Sequence, residues 1–386
     1  MNAFDFARVL GDLFYCDDAE ELGRKWQELD EDMRKVFFAQ LCKDGFGNFL
    51  RWRFKGCNVL NAEETERLRN EALGYLQRAT LDEMAFNELF GILEAAHIRF
   101  CPIKGIDLAY RIYPSPSLRP FGDWDILFHP DDIGRVLGCL EKHGWKELLH
   151  KDGKGGHHSS PLVKGRYFME PHWTLSCFTN ADPRKIWDYL TPVEGNTCKH
   201  TLCPELNLLL IARHASEWNY REVALSKLLL DAAMIIRRED VDWGRLREIS
   251  TVLNQPYAGN FFAAFSEFFP KELIEKMGAD SEKSEAYRTI FARRRDFLKV
   301  KAPEVMLEDK NRFSANWFKR VLAVYYPRNL RYKYGLPLTG AHGKLAWKYV
   351  VETASKFSKL IRCLGGKKTP GFKEYLEIIR KAEKLD

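Results

Sequence analysis

The run Asp123-Trp124-Asp125-Ile126-Leu127-Phe128 constrains this chain more than any other segment. Trp124, Ile126 and Phe128 alternate with Asp123, Asp125 and Leu127, the period-two pattern of a half-buried strand. Such a strand projects Asp123 and Asp125 to the same side, roughly 7 Å apart along the chain. Two oxygen donors on one rigid element suit a hard divalent cation, Mg²⁺ or Mn²⁺. They also suit the paired-metal sites that drive in-line phosphoryl displacement.

The flanking residues extend this reading. Arg99-Phe100-Cys101-Pro102-Ile103 predicts a short strand that runs through Lys104-Gly105 into a helical spacing over Ile106 to Tyr113. Gly105 at such a turn lets a phosphate approach the backbone, and Lys104 offers it a positive charge. Pro114-Ser115-Pro116 ends the helix, and Arg119, a second candidate phosphate ligand, follows. Downstream, Gly165 to Trp173 predicts another strand, on which Glu170 completes an acidic triad if the two strands pair. His172 is assigned either to orienting a metal ligand or to capping the strand.

The segment from about Leu93 to Trp173 resembles the nucleotidyltransferases of the DNA polymerase β-like superfamily. More narrowly, it is similar to a bacterial branch known mainly as uncharacterised nucleotidyltransferases. The residues that carry the resemblance are Lys104-Gly105, Tyr113-Pro114, Arg119, Asp123-Trp124-Asp125, Gly144-Trp145 and Glu170-Pro171-His172-Trp173. It extends more weakly into the stretch with His214 and Asp231. The chain departs from the wider superfamily at the phosphate turn, where Ile106 follows Lys104-Gly105 in place of a Gly-Gly or Gly-Ser pair.

The resemblance implies an α+β protein with a small mixed sheet of the nucleotidyltransferase type flanked by helices. It also implies Mg²⁺-dependent (or Mn²⁺-dependent) transfer of a nucleoside monophosphate from an NTP to an acceptor. Asp123, Asp125 and Glu170 would hold the metal, with Glu170 binding the acceptor-side ion or acting as base. Lys104, the Gly105 amide and Arg119 would hold the triphosphate. The acceptor, a small molecule, sugar, RNA or protein, is not indicated. Two other readings compete: a non-catalytic nucleotide- or partner-binding module on the same scaffold, and a metal-dependent phosphodiesterase.

Length, 386 residues with 45% hydrophobic content, allows a large core and more than one structural unit. The divisions expected are a helical region over 1–80, the catalytic domain over 81–203, a helical bundle over 204–300 and a basic, mostly helical region over 301–386. Trp26, Leu29, Met33, Phe37 and Leu41 recur at amphipathic spacing, with Asp18 as a helix cap upstream. Pro130-Asp131-Asp132 opens a helix that Gly144 closes, and residues 152–158 form a loop, expected to join a hairpin. Asp231 sits in an apolar helix and needs a partner, for which His214 and Arg213 are the candidates.

No apolar run reaches the roughly 20 residues that span a bilayer, and no signal peptide opens the chain. Nine scattered cysteines fit a reduced, cytoplasmic protein. Cys198 and Cys203 lack the second ligand pair a zinc site uses. The net charge of +6 divides unevenly: residues 310–386 carry 18 Lys and Arg against 5 Asp and Glu, so +13, leaving −7 for residues 1–309. Ala341 to Leu364 has helical spacing with lysines interspersed. The favoured expectation is a helix docked on the acidic body. The alternative is that this helix, with Trp317-Phe318-Lys319-Arg320, binds an anionic partner such as RNA or a membrane surface, which would make the protein peripheral to the membrane.

Overall fold

The computed structural model describes residues 1–148, 157–178, 182–217, 220, 223–294, 343, 346–347, 350 and 372–384. The fold is α+β: a mixed five-stranded sheet flanked by helices. Strands β1 (Phe100–Pro102), β2 (Trp124–Phe128), β3 (Lys146–Glu147), β4 (Leu162–Lys164) and β5 (Tyr167–His172) lie in the order β1-β2-β5-β4-β3. All pairs are antiparallel except β2 with β5, which run parallel with Asp125 opposite Glu170. The pairing on which the acidic triad depends is therefore present.

The alternation in β2 divides the core. Trp124, Ile126 and Phe128 pack with Phe86, Leu89, Leu93, Val136 and Leu140 on one face. Leu127 turns to the other, joining an apolar cluster that runs through the N-terminal and later helices. The acidic face of the sheet thus looks into the helical body, which is why carboxylates there become desolvated.

Four short helices open the chain: α1 (Ala3–Tyr15), α2 (Ala19–Glu28), α3 (Glu31–Lys43) and α4 (Gly47–Arg53). Asp18 caps α2 through the Glu21 N–H. The stripe from Trp26 to Leu41 is not one helix, because Asp30 accepts from the Met33 N–H and starts α3. Helix α5 (Ala62–Ala95) runs unbroken across position 80 to the edge of the sheet. Its Leu81 and Met84 face outward, 46% and 66% exposed, so the inner face is carried by Phe86, Leu89 and Leu93.

Helix α6 (Lys104–Asp107) continues into a π turn over Leu108–Ile112, and Tyr113 ends the element before the prolines. After β2, a 3₁₀ turn at Pro130–Asp132 leads into α7 (Ile133–Lys142), and Gly144 takes the left-handed conformation (φ +86°) beyond it. β3 and β4 are antiparallel neighbours, as a hairpin requires, and residues 149–156 between them lie outside the described residues. A two-stranded sheet, β6 (Leu190–Pro192) with β7 (His200–Leu202), adjoins β1 through Phe100.

The later helices are α8 (Pro204–Glu217), α9 (Leu225–Arg238), α10 (Trp243–Val252), α11 (Ala258–Ala263), α12 (Lys271–Met277) and α13 (Ser281–Ala292). Residues 310–342, and most of 343–371, lie outside the described residues, and with them the expected basic helix and Trp317-Phe318-Lys319-Arg320. The terminal helix Phe372–Ala382 docks on α13, with Tyr375 fully buried and ion pairs from Arg293 to Glu374 and from Lys381 to Glu282. Glu383 beyond it accepts from Ser216 and Tyr220. No helix among the described residues is long and apolar enough to cross a membrane.

Candidate functional site

Strand register brings the site together. Asp125 and Glu170 are direct neighbours across β2 and β5, and His172 follows two residues later on the same face. One oxygen of Asp125, Oδ1, accepts from Lys104 Nζ at 2.7 Å and lies 2.7 Å from His172 Nε2. Glu170 Oε2 is 3.7 Å from the same His172 nitrogen. Donor atoms of Asp125, Glu170 and His172 all lie within 4.8 Å of one another, the one such metal-competent group among the described residues.

Asp123 stands differently from the strand expectation. β2 begins at Trp124, so Asp123 occupies the bend before it, half-buried and outside the close group. The chain turns at Gly122, and the pleat that would align Asp123 with Asp125 has not started. Its charge still reaches Asp125 and Lys104.

Lys104 is held in an uncommon conformation. Its φ is +56°, in the left-handed region, which costs a non-glycine residue roughly 1–2 kcal/mol. The turn is fixed from both sides: the Ile103 N–H bonds Asp125 O at 3.0 Å, and the ammonium reaches the Asp125 side chain. Such strain is found where surrounding structure over-determines a functional side chain. Gly105 is required here by packing. A Cβ would lie 2.7 Å from Phe121 Cβ and 3.1 Å from Arg119 Nη1.

Arg119, expected at a phosphate, is bound to Asp231 instead. Its Nε and Nη2 donate to Asp231 Oδ1 and Oδ2 at 2.8 and 2.6 Å, and Tyr113 Oη donates to Oδ1 at 2.9 Å. This corrects the partner of Asp231, for which His214 and Arg213 were the candidates. Helix α9 presents Asp231 to the turn at 113–119, and that contact between distant segments leaves no trace in local spacing.

Two residues in the site were not anticipated. Lys227 lies one helical turn before Asp231 on α9. Arg119 has taken Asp231, and among the described residues no carboxylate is within ion-pair distance of Lys227. A lysine one turn from an acid inside an apolar helix was the available signal. The second is His158, buried, with Nδ1 2.7 Å from Ser159 O and Nε2 3.8 Å from Glu170 Oε2. In sequence it falls within the loop expected at 152–158.

The electrostatics follow from burial of like charges. Desolvation and the neighbouring Asp125 push the Glu170 carboxyl up to about 7, against the pull of Lys104. Burial and Asp125 also raise Asp123. Burial works against the Lys104 ammonium, but Asp125, Glu170 and Asp123 outweigh it and raise its pKa. Lys227 is pushed down by burial and by Arg119, with Asp231, Asp123 and Asp125 opposing. Burial, Lys104 and His158 hold His172 well below the usual histidine range, so its imidazole is neutral. Two clustered carboxylates beside a neutral imidazole fit a divalent cation, which would relieve their repulsion and need no proton from the histidine.

A family model described as an uncharacterised nucleotidyltransferase matches residues 49–255, more than half of the chain, and the chain belongs to that family. The matched stretch runs from α4 to the end of α10 and contains every site residue above. No curated protein and no solved structure matches the chain.

Proposed function

We propose that this member of the nucleotidyltransferase family transfers a nucleoside monophosphate from an NTP to an acceptor hydroxyl and releases pyrophosphate. The observation that carries the reading is the parallel pairing that sets Asp125 against Glu170 beneath Lys104. Asp125, Glu170 and, in the bend before β2, Asp123 would supply the carboxylates for a divalent ion. When bound, that ion supplies positive charge to the phosphate oxygens that gain negative charge as the bond breaks.

The residues of the chain do the rest. Lys104 is held over the site by its strained turn and turns from Asp125 to phosphate when the carboxylate is otherwise neutralised. Lys227 supports the far end of the triphosphate from α9, while Asp231 and Arg119 fix that helix against the turn at 113–119. Arg119 therefore acts as a brace. The acceptor oxygen bonds the α-phosphorus as the bond to the bridging oxygen of the β-phosphate breaks, and the electron pair leaves on pyrophosphate. The acceptor's proton passes to Glu170, which stands opposite Asp125 across the paired strands.

The test is incubation of the full chain with each labelled NTP, Mg²⁺ or Mn²⁺, and cell extract as acceptor source. Pyrophosphate release with label on an acceptor is expected. Nucleotide hydrolysis without labelling would favour the phosphodiesterase reading, and binding without turnover a non-catalytic module.

A further inference from the structure

We propose that His172 Nε2 is itself a metal ligand, making this a mixed nitrogen and oxygen site that favours Mn²⁺ over Mg²⁺. The inference rests on the nucleotidyl-transfer reading and specifies its ion.

His172 is fully buried on β5 and directed into the acid cluster. Its Nε2 lies 2.7 Å from Asp125 Oδ1 and 3.7 Å from Glu170 Oε2. Neighbouring donors around a six-coordinate ion at about 2.1 Å sit about 3 Å apart, so these separations bracket that value. Asp123, which a set of carboxylates alone would use, lies outside the close group that includes His172.

Asp125 Oδ1 receives Lys104 at 2.7 Å and faces His172 Nε2 at 2.7 Å, so one carboxylate oxygen is shared between a cation and the imidazole. The other ring nitrogen, Nδ1, is buried without a hydrogen-bond partner, although the Thr174 backbone lies close enough to influence the ring's charge. A histidine that ligates through Nε2 carries its hydrogen on Nδ1. The imidazole rings of His157 and His158 pack against that of His172, with ring centroids 5.2 and 5.3 Å away. Imidazole nitrogen binds Mg²⁺ poorly and later divalent ions better, whereas carboxylates serve both. One nitrogen among carboxylates therefore shifts the balance toward Mn²⁺.

The experiment is Mn²⁺ titration of the full-length protein followed by pulsed electron paramagnetic resonance, with Mg²⁺ competition. The expected result is ¹⁴N coupling to bound Mn²⁺ in the wild type and in the double variant His157→Gln/His158→Gln. The coupling is lost in His172→Gln, where Mn²⁺ binds about tenfold or more weakly and Mg²⁺ affinity changes little. The double variant decides the matter even if His172→Gln does not fold. Mn²⁺ bound without ¹⁴N coupling, or coupling lost only in the double variant, would overturn the role of His172 and leave nucleotidyl transfer standing. Mg²⁺ binding without Mn²⁺ binding would overturn the inference alone, and failure of the wild type to bind either ion would overturn both.

Discussion

Asp231 on α9 grips Arg119 with both carboxylate oxygens, at 2.8 and 2.6 Å, and both side chains are almost completely buried. This pair ties the helical body to the turn that precedes the acidic strand. Breaking it by Asp231→Asn leaves a buried guanidinium without its counter-charge and should cost about 3–5 kcal/mol. Urea denaturation measures this, and a loss below 1 kcal/mol would mean that the pair is not a brace.

Lys104 occupies one oxygen of Asp125, for which the proposed divalent ion would compete. Lys104→Ala should therefore raise divalent-ion affinity severalfold while weakening triphosphate binding about tenfold, since a charge-assisted contact is lost. Calorimetry with each ligand separates the two effects. Weaker ion binding in this variant would contradict the competition.

Lys227→Ala should raise the KM for NTP with little change in ion affinity, because its side chain is assigned to phosphate and not to the metal. A stability gain with unchanged KM would instead identify Lys227 as a buried charge without function.

The Glu170 carboxyl, at about 7 in the fold against an ordinary 4.5, binds its proton more tightly folded than unfolded. The sign follows from linkage. In the ion-free protein the contribution of this carboxyl to stability should be fully present below pH 4.5 and fall by up to about 3 kcal/mol as pH rises to 7. Ion binding must displace that proton, so divalent affinity should climb with pH through 7 and then level off. Glu170→Gln should flatten the 4.5–7 portion of the stability profile. A wild-type profile without that slope would contradict the environment described for Glu170.

Much of this site was legible because it is local. Alternation in Trp124–Phe128 gave the strand and its buried face, and the Lys104-Gly105 turn and the Glu170 strand followed from short patterns. What the sequence left hidden depends on contacts between distant segments. The clamp on Arg119 joins residues 112 positions apart, and Lys227 gains meaning only once α9 lies against the turn before the acidic strand. Asp123 shows the limit of periodicity, because alternation does not say at which residue a strand begins. The break at Asp30 shows the same for helices, since two helices can share one apolar stripe.

Asp125→Asn tests most directly whether Asp125 is the pivot of an ion-dependent transferase. The substitution keeps the shape and removes the charge that a divalent ion needs. In the labelled-NTP assay, wild-type protein should release pyrophosphate and label an acceptor only with Mg²⁺ or Mn²⁺ present. The folded Asp125→Asn protein should lose at least about a thousandfold in that rate, consistent with losing the charge stabilisation an active site provides. Near-wild-type transfer by Asp125→Asn would contradict the account.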